Sequence, residues 1–175
     1  MIAVVGVLKS WKGGGFMAKF RKSFVPLKLI LGSNEQALIL TDLLENLVYE
    51  IALRGRTLDE VSDEEKIVVK SRRLIMEDTG VLTATVKNTI DKLYDEGFID
   101  LMLLKSYMDY SDPIYHYRLD ISTQLYLDKA IAFMNKKHRP DDKRTVKKIL
   151  IPFIEKLKSS PDIFRALDLG KDKIY

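Results

Sequence analysis

A chain of 175 residues, 46% hydrophobic and 31% charged, carries enough apolar side chain for one sizeable core, or for a domain with an extension, and is not disordered in composition. The absence of cysteine excludes disulfides and thiolate metal sites and fits a cytoplasmic protein. A formal charge of +4 and a pI near 9.1 permit nucleic-acid binding without requiring it, so the placement of the charge says more than its total.

Residues 1–16, MIAVVGVLKSWKGGGF, differ in character from the rest of the chain. The apolar run Ile2 to Leu8 is too short to span a bilayer and no basic residue precedes it, so neither a transmembrane helix nor a standard signal peptide is supported and no membrane partner is expected. Lys12-Gly13-Gly14 can be encoded by AAAGGAGGN, a strong bacterial ribosome-binding sequence a few nucleotides upstream of Met17. The expectation is a native start at Met17, with a flexible Gly-rich leader as the alternative. Without this leader the chain loses Lys9 and Lys12, and the formal charge falls from +4 to +2. Lys19, Arg21 and Lys22 then form a small basic arm, suited to a phosphate backbone or simply solvated.

Ser33 to Leu53 predicts a helix. Ser33 and Gln36 have capping-box spacing, and Ala37, Leu40, Leu44, Leu47, Val48 and Ile51 line one face. Arg54 to Glu65 reads as a polar loop whose Asp59, Glu60, Asp63, Glu64 and Glu65 repel phosphate, which turns it away from DNA or toward a protein. The β-branched Ile67 to Val69 predict a short strand.

Ser71 to Ile99, SRRLIMEDTGVLTATVKNTIDKLYDEGFI, reads as a helix, a tight turn, a second helix and the start of a strand. Ser71 is a candidate N-cap, Leu74 and Ile75 supply the first helix's apolar face, and Gly80 sits where a positive φ often ends a helix. In the second helix Val86, Ile90 and Leu93 form one narrow stripe, leaving Thr83, Ala84, Lys87, Asn88 and Lys92 pointing elsewhere. Gly97 ends it.

Phe98 to Leu104 and Ile114 to Ile121 predict two strands joined by Lys105 to Pro113, with Tyr115, Tyr117 and Leu119 inward and His116 and Arg118 outward. Ser122 opens a helix over Thr123 to Lys137, with Leu127, Ala130, Ile131 and Met134 on one face and Tyr126 and Phe133 beside it. HRPDD breaks it. Asp142 caps a helix through Lys158 in which Val146, Ile149, Leu150, Phe153, Ile154 and Leu157 form a stripe and Pro152 lies off it. Ser160-Pro161-Asp162 starts a last short helix carrying Ile163, Phe164 and Leu167 inward, stopping at Gly170.

Leu74, Gly80, Val81, Thr85, Val86, Ile90, Leu93, Gly97 and Ile99 stand in the order typical of the winged helix-turn-helix family, which this stretch resembles. The resemblance implies a mainly α fold with a small β-hairpin wing, in which the second helix enters the DNA major groove. One departure is Leu82, where the family has Ser, Thr or Asp: either Thr83 caps one residue late or the cap is missing. More loosely, the layout FVPLKLILGSNEQALILTDLL, a loop, the two-helix motif and a strand ending in YRLD resembles N-terminal domains of plasmid replication initiators and phage replisome organisers.

Base-reading candidates are Asn88, whose amide can bond adenine twice, and Lys87, which can reach guanine acceptors. Either would look the same on an ordinary surface helix. Ala84 and Lys92 share their exposed side. Thr83 and Thr85 suit phosphate contacts or local capping, and Arg72 and Arg73 suit backbone clamps or plain solvation. Asp91 is unfavourable near phosphate and would accept from cytosine or lie beyond the groove. In the wing only Lys105 and Arg118 could contact DNA, because phosphate contact is mostly electrostatic.

Residues 66–99 hold six bases against five acids, net +1, whereas residues 129–158 hold ten bases against three acids, net +7. Lys136, Lys137, Lys143, Arg144, Lys147 and Lys148 are therefore candidate phosphate contacts flanking the groove site, or the solvated face of a dimerisation helix.

No catalytic residues, metal ligands or cofactors are expected. His116 and His138 lack ligand-type neighbours, and Gly13 to Gly15 lead into no P-loop lysine and serine. The expected organisation is a leader over 1–16, a winged helix domain over 17–121, and a helical extension over 122–175 that mediates homodimerisation, its apolar stripes needing cover from a second copy or from the winged domain. The expected function is sequence-specific binding of double-stranded DNA at a plasmid or phage origin, centromere or operator, with replication or partition proteins as possible partners. The rivals are a transcriptional regulator and a winged helix used only as a protein-interaction module.

Overall fold

The computed structural model describes residues 23–28, 30–103, 114–136 and 143–159. In chain order these form α1 (Val25–Lys28), α2 (Asn34–Leu53), two 3₁₀ turns (Leu58–Glu60 and Asp63–Glu65), β1 (Ile67–Ser71), α3 (Arg72–Thr79), α4 (Thr83–Asp95), β2 (Ile99–Leu103), β3 (Ile114–Leu119), α5 (Thr123–Lys136) and α6 (Lys143–Ser159). The architecture is mainly helical, with one three-stranded antiparallel sheet in the order β1-β3-β2. The expected leader, the tip over 105–113, the Asp142 cap and the last short helix fall outside the described residues.

Ser33 starts α2 as its sequence demands. Its backbone is extended and its hydroxyl accepts from the Gln36 amide N–H at 3.2 Å. The Gln36 side chain reaches across the fold, where Nε2 donates to Glu96 Oε1 at 3.4 Å. The predicted stripe of α2 is buried, and Ile39, Thr41 and Leu43 are buried with it, so the helix is enclosed on more than one side. From the far side comes α1, whose flanking Phe24 N–H donates to Thr41 Oγ1 at 2.9 Å.

The acidic loop is more ordered than its polarity implies. Glu60 accepts from Thr57 N–H and Glu65 from Ser62 N–H, each at 2.8 Å, so each carboxylate closes its own short turn. The Ser62 N–H holds the Glu65 carboxyl below the usual range, and Lys66 does the same to Asp63, helped by Arg118 and Lys158. These turns pack on α6 and β3.

Strand alternation sorts the sheet into two faces. Val68 pairs with Tyr117 and Tyr117 with Leu101, while Lys70 pairs with Tyr115. Val68, Tyr117 and Leu119 are buried; Val69 and Arg118, on the opposite face, are exposed. The expected orientation holds for Tyr117, Leu119 and Arg118, whereas Tyr115 and His116 are both half-buried.

Two expectations about buried faces need correction. In α3 the inward positions are Ile75 and Thr79, one turn apart, and Leu74 is 43% exposed. A helix of 8 residues with two adjacent apolar side chains does not fix its own rotation, and here packing favours Ile75. In α5 Ala130 is buried as expected, but the other fully buried side chain is Tyr126, expected only beside the stripe, while Leu127 and Ile131 are half-buried; Tyr126 stacks edge-on against Phe98 with ring centroids 5.2 Å apart.

The apolar stripe of α6 finds its cover within the chain. Val146, Leu150, Phe153, Ile154 and Leu157 join the same buried cluster as α2 and α4, and Phe153 lies against Phe24 with centroids 5.3 Å apart. Ile149, expected in the stripe, stays 38% exposed. Pro152 lies off the stripe on the exposed side.

Candidate nucleic-acid interface

Three residues set the direction of α4. Gly80 adopts the left-handed conformation at φ 76°, its N–H closing on Met76 O at 2.8 Å. Only a residue without Cβ enters that region at no steric penalty. Val81 is buried, and its N–H donates to Thr79 Oγ1 at 3.2 Å. Leu82 is then the N-cap residue, extended, with no side-chain capping bond. The helix starts at Thr83 without a polar cap, and the Thr83 hydroxyl turns back to donate to Met76 Sδ at 2.9 Å.

Packing defines which side of α4 faces outward. Val86, Thr89, Ile90 and Leu93 are buried against α2, α3 and β2. Thr83, Ala84, Lys87, Asn88, Asp91 and Lys92 are exposed, and Thr85 is half-buried at the margin. Neither Lys87 nor Lys92 has an acidic partner among the described residues.

Beside α4, Ser71 caps α3 as expected, its hydroxyl accepting from Leu74 N–H at 3.2 Å. Arg73 is exposed. The Arg72 guanidinium lies over the Tyr115 ring, 4.6 Å from its centroid, with Nε buried. That stack ties the start of α3 to β3 and holds the side chain in one orientation. Arg118 on β3 pairs with Asp100 at 2.7 Å across the exposed face of the sheet, so part of its field is neutralised within the chain. Lys105 and Lys137 lie outside the described residues.

One residue counted among the bases of this segment does not contribute to the outward field. Lys70 is 5% exposed, and its Nζ lies 2.7 Å from Asp42 Oδ2 and 2.5 Å from Asp78 Oδ2. It joins α2, β1 and α3. The signal was present in the alternation of β1, which turns Lys70 to the same side as Val68.

A second positive surface lies on the C-terminal helices. Arg144, Lys147 and Lys148 on α6 and Lys136 at the end of α5 are all exposed, and Lys143 is the first residue of α6. Among the described residues no cluster of three or more His, Asp or Glu could hold a metal ion, and no helix is long and apolar enough to cross a membrane.

No family model, curated protein or solved structure matches the chain.

Proposed function

We propose that the chain is a winged helix protein that binds double-stranded DNA, with α4 in the major groove and the β2–β3 hairpin as its wing. The observation that carries this reading is the outward side of α4. It presents Thr83, Ala84, Lys87, Asn88 and Lys92 to solvent, with both lysines unpaired by acids among the described residues. The order helix, strand, two helices, two strands, with β3 between β1 and β2, supports it because this is how the winged helix family is built. Arg72, Arg73 and Thr85 flank the groove-facing side chains. The exposed bases of α5 and α6 add phosphate contacts that raise affinity without reading sequence. The looser resemblance favours an origin, centromere or operator of a plasmid or phage as the target, with a transcriptional regulator as the related alternative; a homodimer, expected as cover for the apolar stripes of the C-terminal helices, loses that ground at α6, whose stripe is buried within the chain. A mobility-shift assay on genomic fragments tests the reading: specific complexes persist at physiological salt with competitor DNA, and their absence refutes it.

A reading of another class, a winged helix serving as a protein adaptor, is favoured by the acidic turns over Asp59–Glu65 and by the Arg118–Asp100 pair. It gains ground if no DNA is retained at any salt concentration while a protein partner co-purifies and is released by reversing Asp59 and Glu64.

A further inference from the structure

Leu82 is 74% exposed, more than any other large apolar side chain among the described residues. It occupies the N-cap of α4, where Ser, Thr, Asp or Asn would each close an unpaired backbone N–H; Leu82 forms no such bond and gains little burial. The free chain thus derives little stability from leucine at this position. Next to it Thr83 has turned its hydroxyl back onto Met76, so the leading end of the outward face is apolar, made by Leu82 and the small Ala84. Asn88 comes one turn later, with the unpaired cations Lys87 and Lys92 on the same helix.

We propose that Leu82, assisted by Ala84, is a specificity-determining contact for thymine methyl groups, so that the site α4 reads contains A·T pairs. The inference rests on the DNA-binding reading above. Thymine alone places a methyl group at the natural major-groove edge, where aliphatic side chains contact it, and an asparagine amide matches adenine N6 and N7. Both features therefore favour the same base pair. Leu82 and Asn88 are separated by about 9 Å along the helix, so their contacts fall roughly two to three base pairs apart. The unpaired lysines complement the phosphates on either side of such a groove, which an apolar protein surface would not.

The test selects duplexes from a random-core pool with the full chain, then replaces each thymine of the enriched site with deoxyuridine, removing only the methyl. Fluorescence anisotropy should show binding about 4-fold weaker at one or two thymines for the wild type. The same replacement should have no effect on Leu82→Ala, whose thermal midpoint should match the wild type because Leu82 is exposed. If duplexes are enriched but deoxyuridine is neutral everywhere, or Leu82→Ala keeps the methyl dependence, the inference is overturned while DNA binding stands. If no duplex is enriched even at low salt, the DNA-binding reading falls, and the inference with it.

Discussion

Replacing Lys70 by methionine keeps most of the side chain's length and apolar stem but removes the ammonium group that joins three elements. Two carboxylates are left facing one another: Asp42, with its side chain 12% exposed, and Asp78, at 35%. Removing one partner of a buried ion pair costs about 3–5 kcal/mol, because the remaining charge has neither partner nor water. Asp78 is exposed enough to keep part of its hydration, and Asp42 retains the Asn46 amide at 3.3 Å, which lowers the expected loss to about 2–4 kcal/mol. For a chain of this size each kcal/mol shifts the thermal midpoint by about 2–4 °C, so Lys70→Met should melt roughly 4–16 °C lower by circular dichroism. Adding Asp42→Asn and Asp78→Asn should restore at least half of the loss, since the two carboxylate charges then no longer face one another. A Lys70→Met protein within about 0.5 kcal/mol of wild type in urea unfolding, or a triple variant less stable than the single one, would refute the reasoning.

Three further outcomes are expected. Phe153→Ala removes the ring that lies on Phe24 and should cost about 3–5 kcal/mol; α6 should melt together with α2 and α4, whereas an independent low-temperature transition would show that α6 is not part of the common core. The buried Tyr117 and Tyr126 hydroxyls have no hydrogen-bond partner among the described residues, and burial pushes both phenols well above their usual range. Because the neutral form is favoured in the fold, their contribution is fully present below the ordinary phenol pKa near 10 and is lost as pH rises beyond it. Absorbance at about 295 nm should thus show these two of the 8 tyrosines ionising only as the protein unfolds in alkali. Lys147→Ala with Lys148→Ala should flatten the slope of log affinity against log salt by about 1.8 if both touch phosphate; an unchanged slope assigns them to a solvated face.

The elements most legible in the sequence were those whose ends are set by local chemistry. Ser33 and Ser71 cap helices by the bonds their positions suggested, and Gly80 and Gly97 take the positive φ angles that end α3 and follow α4. Periodicity located the buried side of α2, α4 and α6 because each carries at least two turns of apolar residues. It failed in α3, where Leu74 and Ile75 are adjacent and only tertiary packing could choose between them. Periodicity also marks which side of a helix is buried without naming what covers it, so the partner of the α6 stripe became visible only with Phe153 against Phe24. At the candidate site, the outward set of α4 was readable as the complement of its stripe. The alternation of β1 marked the inward side of Lys70, but the acids that neutralise Lys70 and Arg118 were not readable, since Asp42, Asp78 and Asp100 arrive from 28, 8 and 18 residues away.

The central claim is that the exposed side of α4 discriminates between DNA sequences, and Lys87→Ala with Asn88→Ala addresses it directly. Both side chains are exposed, so the thermal midpoint should not move. Anisotropy titration against the enriched duplex and a scrambled one should show the preference falling by roughly 10-fold or more, because each good side chain-to-base contact contributes about 1–3 kcal/mol of discrimination. An unaltered preference for the enriched duplex in the double variant would contradict the account.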